Sequence, residues 1–180
     1  MRVTDTIGSI AFVDVHYAGE RARAACVTAT SWADPAPHDE WTIEVSQVAE
    51  YRPGHFFERE LPSVLAVLER APTEPSIVVV DGYVVLDSLG RPGLGAHLFE
   101  HLGKRVAVVG IAKRSFSGSD FAVHVVRGGS QNPLFVTAIG ISDTEAANHV
   151  QHMHGAHRIP TLCSRVDHLS RGLAVPARPA

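Results

Sequence analysis

The chain changes its hydrophobic rhythm part-way along. In the N-terminal part apolar residues alternate with polar ones or run in short blocks, which marks strands. Residues 9–17 form the first, with the run Ile10-Ala11-Phe12-Val13-Asp14-Val15, and Gly19-Glu20 makes a tight turn. Residues 21–30 form the second, with Ala24, Cys26, Thr28 and Thr30 on one face. A loop rich in Pro and Asp follows at residues 31–39. In residues 41–49, Trp41, Ile43 and Val45 alternate with Thr42, Glu44 and Ser46, the pattern of a half-buried strand. Three strands with short links predict an antiparallel meander.

The spacing then becomes helical. Phe57, Leu61, Val64, Leu65 and Leu68 predict an amphipathic helix over residues 56–70, with Pro62 in its first turn or at a kink. Residues 77–81 are a continuous apolar run, as in a buried parallel strand. A helix is predicted over 93–102, closed by Gly103, and a second buried strand over 105–111. Residues 121–126 and 133–138 suggest a hairpin around Gly128-Gly129. Ser142-Asp143-Thr144-Glu145 is a capping box that opens a helix to about residue 153, and a last helix covers about 161–173. This order predicts an α/β protein with a ribonuclease H-like mixed sheet, an antiparallel three-strand meander plus parallel strands, flanked by helices. In that arrangement the first strand lies beside the fourth.

That topology brings three acids together. Asp14 interrupts the first strand, Asp81 closes the fourth, and Glu60 stands early in the first helix. Carboxylates crowded together repel unless a cation neutralises them, and an oxygen-lined site suits Mg²⁺ or Mn²⁺ better than Zn²⁺. The expectation is a divalent-metal site for phosphodiester chemistry. Lys113, beyond the end of the next strand, would add a fixed positive charge, and Asp167 on the last helix is a fourth acid. Taken singly, each has an ordinary explanation: a strand-end acid, an Asp-Gly turn, a helix N-terminal acid, a surface lysine.

Four blocks carry a resemblance to the endonuclease V family, the deoxyinosine-directed repair nucleases. They are Phe12-Val13-Asp14-Val15-His16-Tyr17, then Tyr51-Arg52-Pro53-Gly54 through Phe57-Glu58-Arg59-Glu60, then Val80-Asp81-Gly82 followed by Gly93-Leu94-Gly95-Ala96-His97-Leu98, then Val109-Gly110-Ile111-Ala112-Lys113. Weaker matches follow at Pro133-Leu134-Phe135-Val136, Arg158-Ile159-Pro160 and Arg165-Val166-Asp167. The resemblance implies metal-ligating roles for Asp14, Asp81 and Glu60, transition-state stabilisation or phosphate positioning by Lys113, and a fourth site position at Asp167. It implies a strand-separating wedge at Tyr51, Pro53 and Gly54. It also implies a base pocket lined by Gly82, Tyr83, Gly110 and Ile111, with His97 among the substrate-binding residues. The implied cofactor is Mg²⁺, with Mn²⁺ as an alternative. The implied partner is deoxyinosine-containing DNA or an RNA equivalent, and the implied reaction is hydrolysis of the second phosphodiester bond 3′ to the inosine. The chain departs from the family at Tyr83, where His is usual, and lacks the basic His-Pro-Arg-like loop that follows. Two alternatives stay open: a divergent member that cleaves other structures, and a binding module that keeps the fold without cleavage.

Composition narrows the rest. The chain has 180 residues, 45% hydrophobic and 19% charged, which suits one domain over residues 1–174 with a frayed tail at 175–180. The net charge of −3 offers no overall basic field, so gripping of long DNA would fall to local clusters. Arg114, Arg127, Arg158 and Arg165 are candidates for phosphate contacts. Cys26 and Cys163 fit no disulfide or zinc spacing, and Met1–Thr6 does not read as a signal peptide; a cytoplasmic protein is expected. No run approaches a membrane span. His149, His152, His154 and His157 read as a solvated helix end. Serine-hydrolase and P-loop motifs are absent.

Overall fold

The computed structural model describes residues 8–46, 53, 56–116 and 119–173. Its centre is a seven-stranded sheet in the order β3-β2-β1-β4-β5-β7-β6. The strands are β1 (Ile10–Ala18), β2 (Arg21–Ala29), β3 (Glu40–Ser46), β4 (Ile77–Asp81), β5 (Ala107–Ala112), β6 (Val123–Val125) and β7 (Leu134–Ile139). The α-helices among the described residues are α1 (Phe56–Leu68), α2 (Leu94–His101), α3 (Asp143–His152) and α4 (Thr161–Ser170), with a 3-10 turn at Ser119–Phe121. The strands β1, β2 and β3 form the expected antiparallel meander. β1 pairs in parallel with β4, and β4 with β5. β6 and β7 are the expected hairpin arms, and β7 runs antiparallel to β5.

The sheet is covered on both faces, which explains the unbroken apolar runs at its centre. Val13, Val78, Val80 and Val108 face α1 and α2 and pack with Leu61, Val64, Val67 and Leu98. Phe12, Val79, Val109 and Val136 face α3 and α4 and pack with Val150, Leu162 and Val166. β3 lies at the edge and keeps its alternation, with Trp41, Ile43 and Val45 half-buried and the residues between them exposed. α1 runs through Pro62 and ends at Leu68. α3 opens as its capping box predicts, with the Glu145 amide donating to Ser142 Oγ at 3.1 Å. Residues 47–49 of the expected third strand lie outside the described residues.

Candidate active site

Two parallel strands end side by side with an acid each. The last β1–β4 pair is Val13–Val80, and Asp14 and Asp81 follow it on their respective strands. Once the backbone passes the pair, the core no longer covers both sides and a polar side chain is tolerated. Phe12 and Val79 behind them anchor one face of the sheet, and Val13 and Val80 the other, so neither acid can swing away from the shared edge. α1 brings Glu60 over the same edge, where Asp14, Glu60 and Asp81 line one small depression with Val64 and Leu94.

The electrostatics follow from burial and crowding. Burial pushes the Glu60 carboxyl up to about 8, the charges of Asp14 and Asp81 push the same way, and Arg59 opposes them. Asp14 is also raised, first by burial and then by Asp81 and Asp167, while a hydrogen bond from Ser170 and the charge of Lys113 pull it down. Ser170 Oγ donates to Asp14 Oδ2 at 2.5 Å. Lys113 Nζ donates to Asp81 Oδ2 at 2.6 Å and lies 3.9 Å from Asp167 Oδ1. Burial lowers the Lys113 pKa, but the charge and hydrogen bond of Asp81, with Asp167 and Asp14, outweigh it and leave the ammonium above its ordinary value. Asp167 is shared with Arg171, whose Nε lies 3.1 Å from Asp167 Oδ2. On the α4 side, Asp14, Asp81, Lys113 and Asp167 rim a mainly apolar crevice floored by Phe12, Val79, Leu134 and Cys163.

The structure thus brings Asp14, Glu60, Asp81, Lys113 and Asp167 to one edge. Among the described residues, no three His, Cys, Asp or Glu side chains stand close enough to hold a metal ion together. The donor chemistry nevertheless fits a hard divalent cation. Asp14 and Glu60 are both raised, by burial and by neighbouring acids that outweigh Lys113 and Arg59, so their ionised forms are under-compensated, and all the donors are carboxylate oxygens.

Several other expected site residues have different surroundings. A Cβ on Gly110 would stand 2.5 Å from the Gly82 carbonyl and 2.9 Å from the Val84 amide, so the missing side chain admits the protein's own backbone at that point. Tyr83 is buried against Ala112, Phe121 and Phe135, donates its hydroxyl to the Arg114 carbonyl at 2.8 Å and accepts from the Phe116 amide at 3.2 Å. Ile111 packs in the core and lines the crevice beneath Lys113. His97 stacks on Phe57 with ring centroids 3.7 Å apart, joining α2 to α1, and burial lowers its pKa. Pro53 is exposed, whereas Tyr51 and Gly54 lie outside the described residues.

Of the four candidate arginines, three have structural work instead of free guanidinium groups. Arg127 is 6% exposed and donates to the carbonyls of Met153, Gly155 and His157. Arg158 donates to the carbonyls of Asn132, Pro133 and Lys113, and so holds the segment that carries Lys113. Arg165 forms an ion pair with Glu40. Of the histidine group expected to be a solvated helix end, His149 instead stacks on Trp32 with ring centroids 4.9 Å apart. Sequence reasoning missed Ser170; its place three residues after Asp167 on the last helix was the one signal, and only the fold shows it buried. It also missed Arg59, which stacks over the Tyr17 ring at 4.1 Å beside Glu60.

An open-ended α/β sheet of this topology, with acids at the ends of adjacent parallel strands, defines a ribonuclease H-like nuclease fold. The chain belongs to the endonuclease V family: the model of that family, "Endonuclease V", matches residues 2–149. The Endonuclease V of Streptomyces avermitilis is 31% identical over 91% of this chain and 80% of its own length. A crystal structure of Endonuclease V from the same organism superposes with a TM-score of 0.71 at 27% identity, covering 93% of this chain and 81% of that one. Endonuclease V from Ciona intestinalis, in complex with a DNA containing an inosine followed by a ribo-adenosine, superposes with a TM-score of 0.75 at 20% identity, over 94% of this chain and 87% of that one. Membership makes the chain a nuclease, a hydrolase of phosphodiester bonds in nucleic acid. The family is in general divalent-metal dependent. Among the described residues, no helix is long and apolar enough to cross a membrane.

Proposed function

We propose that the chain hydrolyses the second phosphodiester bond 3′ to deoxyinosine, or to inosine in RNA, with Mg²⁺ or Mn²⁺ held by Asp14, Asp81 and Glu60. The observation that carries this reading is the meeting of two strand-end acids with a helix-borne acid whose carboxyl is pushed up to about 8. The inosine-containing DNA bound by the Ciona relative supports the substrate class. A divalent cation here supplies neutralisation of phosphate charge and acidification of water. Asp14 and Asp81 supply fixed negative charge at the strand ends. Glu60 would give up its carboxyl proton to solvent on cation binding and would then orient water through its oxygens. Lys113 Nζ, held by Asp81, faces the charge that develops on the phosphate. Asp167, shared by Lys113 and Arg171, steadies that ammonium. The family resemblance would give Tyr51, Pro53 and Gly54 a strand-separating role and Gly82 a place beside the base, whereas Gly110, Tyr83, Ile111 and His97 pack against the protein's own backbone and side chains and would act from behind that surface. The unpaired cysteines agree with a reducing, cytoplasmic setting.

One observation favours a second substrate reading. The Tyr83 ring is packed among Phe116, Phe121 and Phe135, at a position where the family resemblance implies a histidine. A divergent member acting on other DNA or RNA structures would have such an altered flank. The test is cleavage of a labelled strand with one deoxyinosine, beside its unmodified control, with Mg²⁺, Mn²⁺ or chelator. Metal-dependent nicking one nucleotide beyond the inosine is expected, and Asp81→Ala should abolish it while leaving the fold intact. Cutting that ignores the inosine would select the second reading. Undiminished cleavage by Asp81→Ala would remove the assigned site.

A further inference from the structure

Leu89 is 94% exposed, against 42–54% for the other large apolar side chains on the described surface. Full exposure of a leucine is ordinary in a slack loop, but this loop is tightly bonded. Asp87 Oδ1 accepts from the Leu89 and Arg91 amides, each at 3.0 Å. The Gly90 amide donates to the Asp87 carbonyl at 3.1 Å, and the Leu86 amide to the Arg91 carbonyl at 2.7 Å. Val85 bridges to Pro92, and Arg91 Nε lies 3.3 Å from Asp87 Oδ2. Gly90 turns the chain with φ +80°, a conformation other residues resist. The backbone that displays this side chain has its ordering entropy already spent.

The base of the loop is fixed to the catalytic frame. It leaves β4 directly after Asp81 and returns into α2. Its Tyr83 hydroxyl bonds the backbone of Arg114 and Phe116, just beyond Lys113, and the Val84 amide donates to Thr137 Oγ1 at 2.8 Å on β7. Leu89 therefore keeps its position relative to Asp81 and Lys113. Behind the tip, the Arg91 guanidinium lies 6.0 Å over the half-exposed Phe116 ring. Arg91 is paired through Nε with Asp87 but its side chain stays 58% exposed, so the apolar tip stands beside a cation that can still reach a phosphate next to stacked bases. A lone leucine is too small to anchor a protein interface, which needs a wider apolar patch.

We propose that Leu89 is a wedge that enters the base stack of the nucleic acid being cleaved, and that Arg91 holds the neighbouring phosphate. Apolar side chains inserted between base steps unstack them and bend the duplex. The inference rests on the proposed function only in taking nucleic acid as substrate. It is a second contact with the strand, separate from that at residues 51–54.

The test uses the full chain and an inosine-containing duplex carrying 2-aminopurine at each flanking position in turn. Binding of the wild type should raise the fluorescence at one position, because that base loses its stacking. Leu89→Ala should abolish the rise and increase KM for the duplex about tenfold, with an unchanged melting temperature and a smaller effect on the single strand. Leu89→Phe should restore the rise. No rise with the wild type, or an equal rise and equal KM with Leu89→Ala, would overturn the wedge. The cleavage assay reads the other question. If the wild type leaves the inosine strand uncut yet only Leu89→Ala loses the fluorescence rise, the wedge stands and the inosine reading falls. If cleavage is normal and the two proteins behave alike, the inosine reading stands and the wedge falls.

Discussion

On one side of the candidate site, Asp81 is half-exposed and already paired with Lys113, which also approaches Asp167. On the other side, Glu60 is held up at about 8 by burial and by its acidic neighbours, and Asp14 accepts a hydrogen bond from the neutral Ser170 hydroxyl. The first side is neutralised within the chain. The second side waits for charge from outside. The difference teaches that acids of one sequence type can serve two purposes at one edge, with the distinction set by what packs around them. It also explains how a chain without a basic field concentrates its response to a cation in one place.

Removing the internal cation should break this contrast most severely. Lys113→Ala leaves Asp81 without its partner and removes the positive charge that the proposed function sets against the phosphate. We expect kcat to fall by about 10²–10³-fold with a smaller change in KM, measured on the labelled inosine strand. A loss confined to KM would mean that Lys113 only binds.

The second prediction concerns pH. Glu60 has a raised carboxyl, so the folded protein holds a proton that the unfolded chain releases. Its contribution to stability is full below the ordinary carboxylate value of 4.5 and is lost as pH rises towards about 8. Metal-free protein should therefore lose melting temperature across that window, and Glu60→Gln should show less of this loss. Added Mg²⁺ or Mn²⁺ should stabilise the wild type more at pH 8 than at pH 5, because binding competes with the proton. A wild-type pH profile matching that of Glu60→Gln would contradict the charge assignment.

The smallest effect should come from Ser170. Ser170→Ala removes the hydrogen bond to Asp14 and should cost about 1 kcal/mol in denaturant unfolding. Without that bond the Asp14 carboxyl rises further, so the acid limb of the pH–rate profile should move to higher pH. An unmoved limb would show that the bond holds the helix and leaves the acid untouched.

Hydrophobic rhythm located the strands and helices of this protein, because period two and period 3.6 are local properties that survive without knowledge of partners. The run of valines before Asp81 required a strand buried on both faces, and the three-strand start required a meander. From these, the neighbouring of β1 and β4 followed, and with it the meeting of Asp14 and Asp81. What the sequence left open were pairings between side chains far apart in the chain. Ser170 on Asp14, Arg158 on the Lys113 carbonyl and the backbone of residue 82 over Gly110 depend on helix orientation and on register, to which no local pattern points. Tyr83 is the clearest case. In the sequence it is an aromatic after Asp-Gly, and only the fold around Phe121 and Phe135 turns it into a bolt that fixes the Leu89 loop. The sequence by itself determined which acids the chain offers and which elements carry them. The tertiary structure decided which acid is paired with a cation and which is held towards its protonated form by burial, because desolvation and Coulomb energy depend on distance in space.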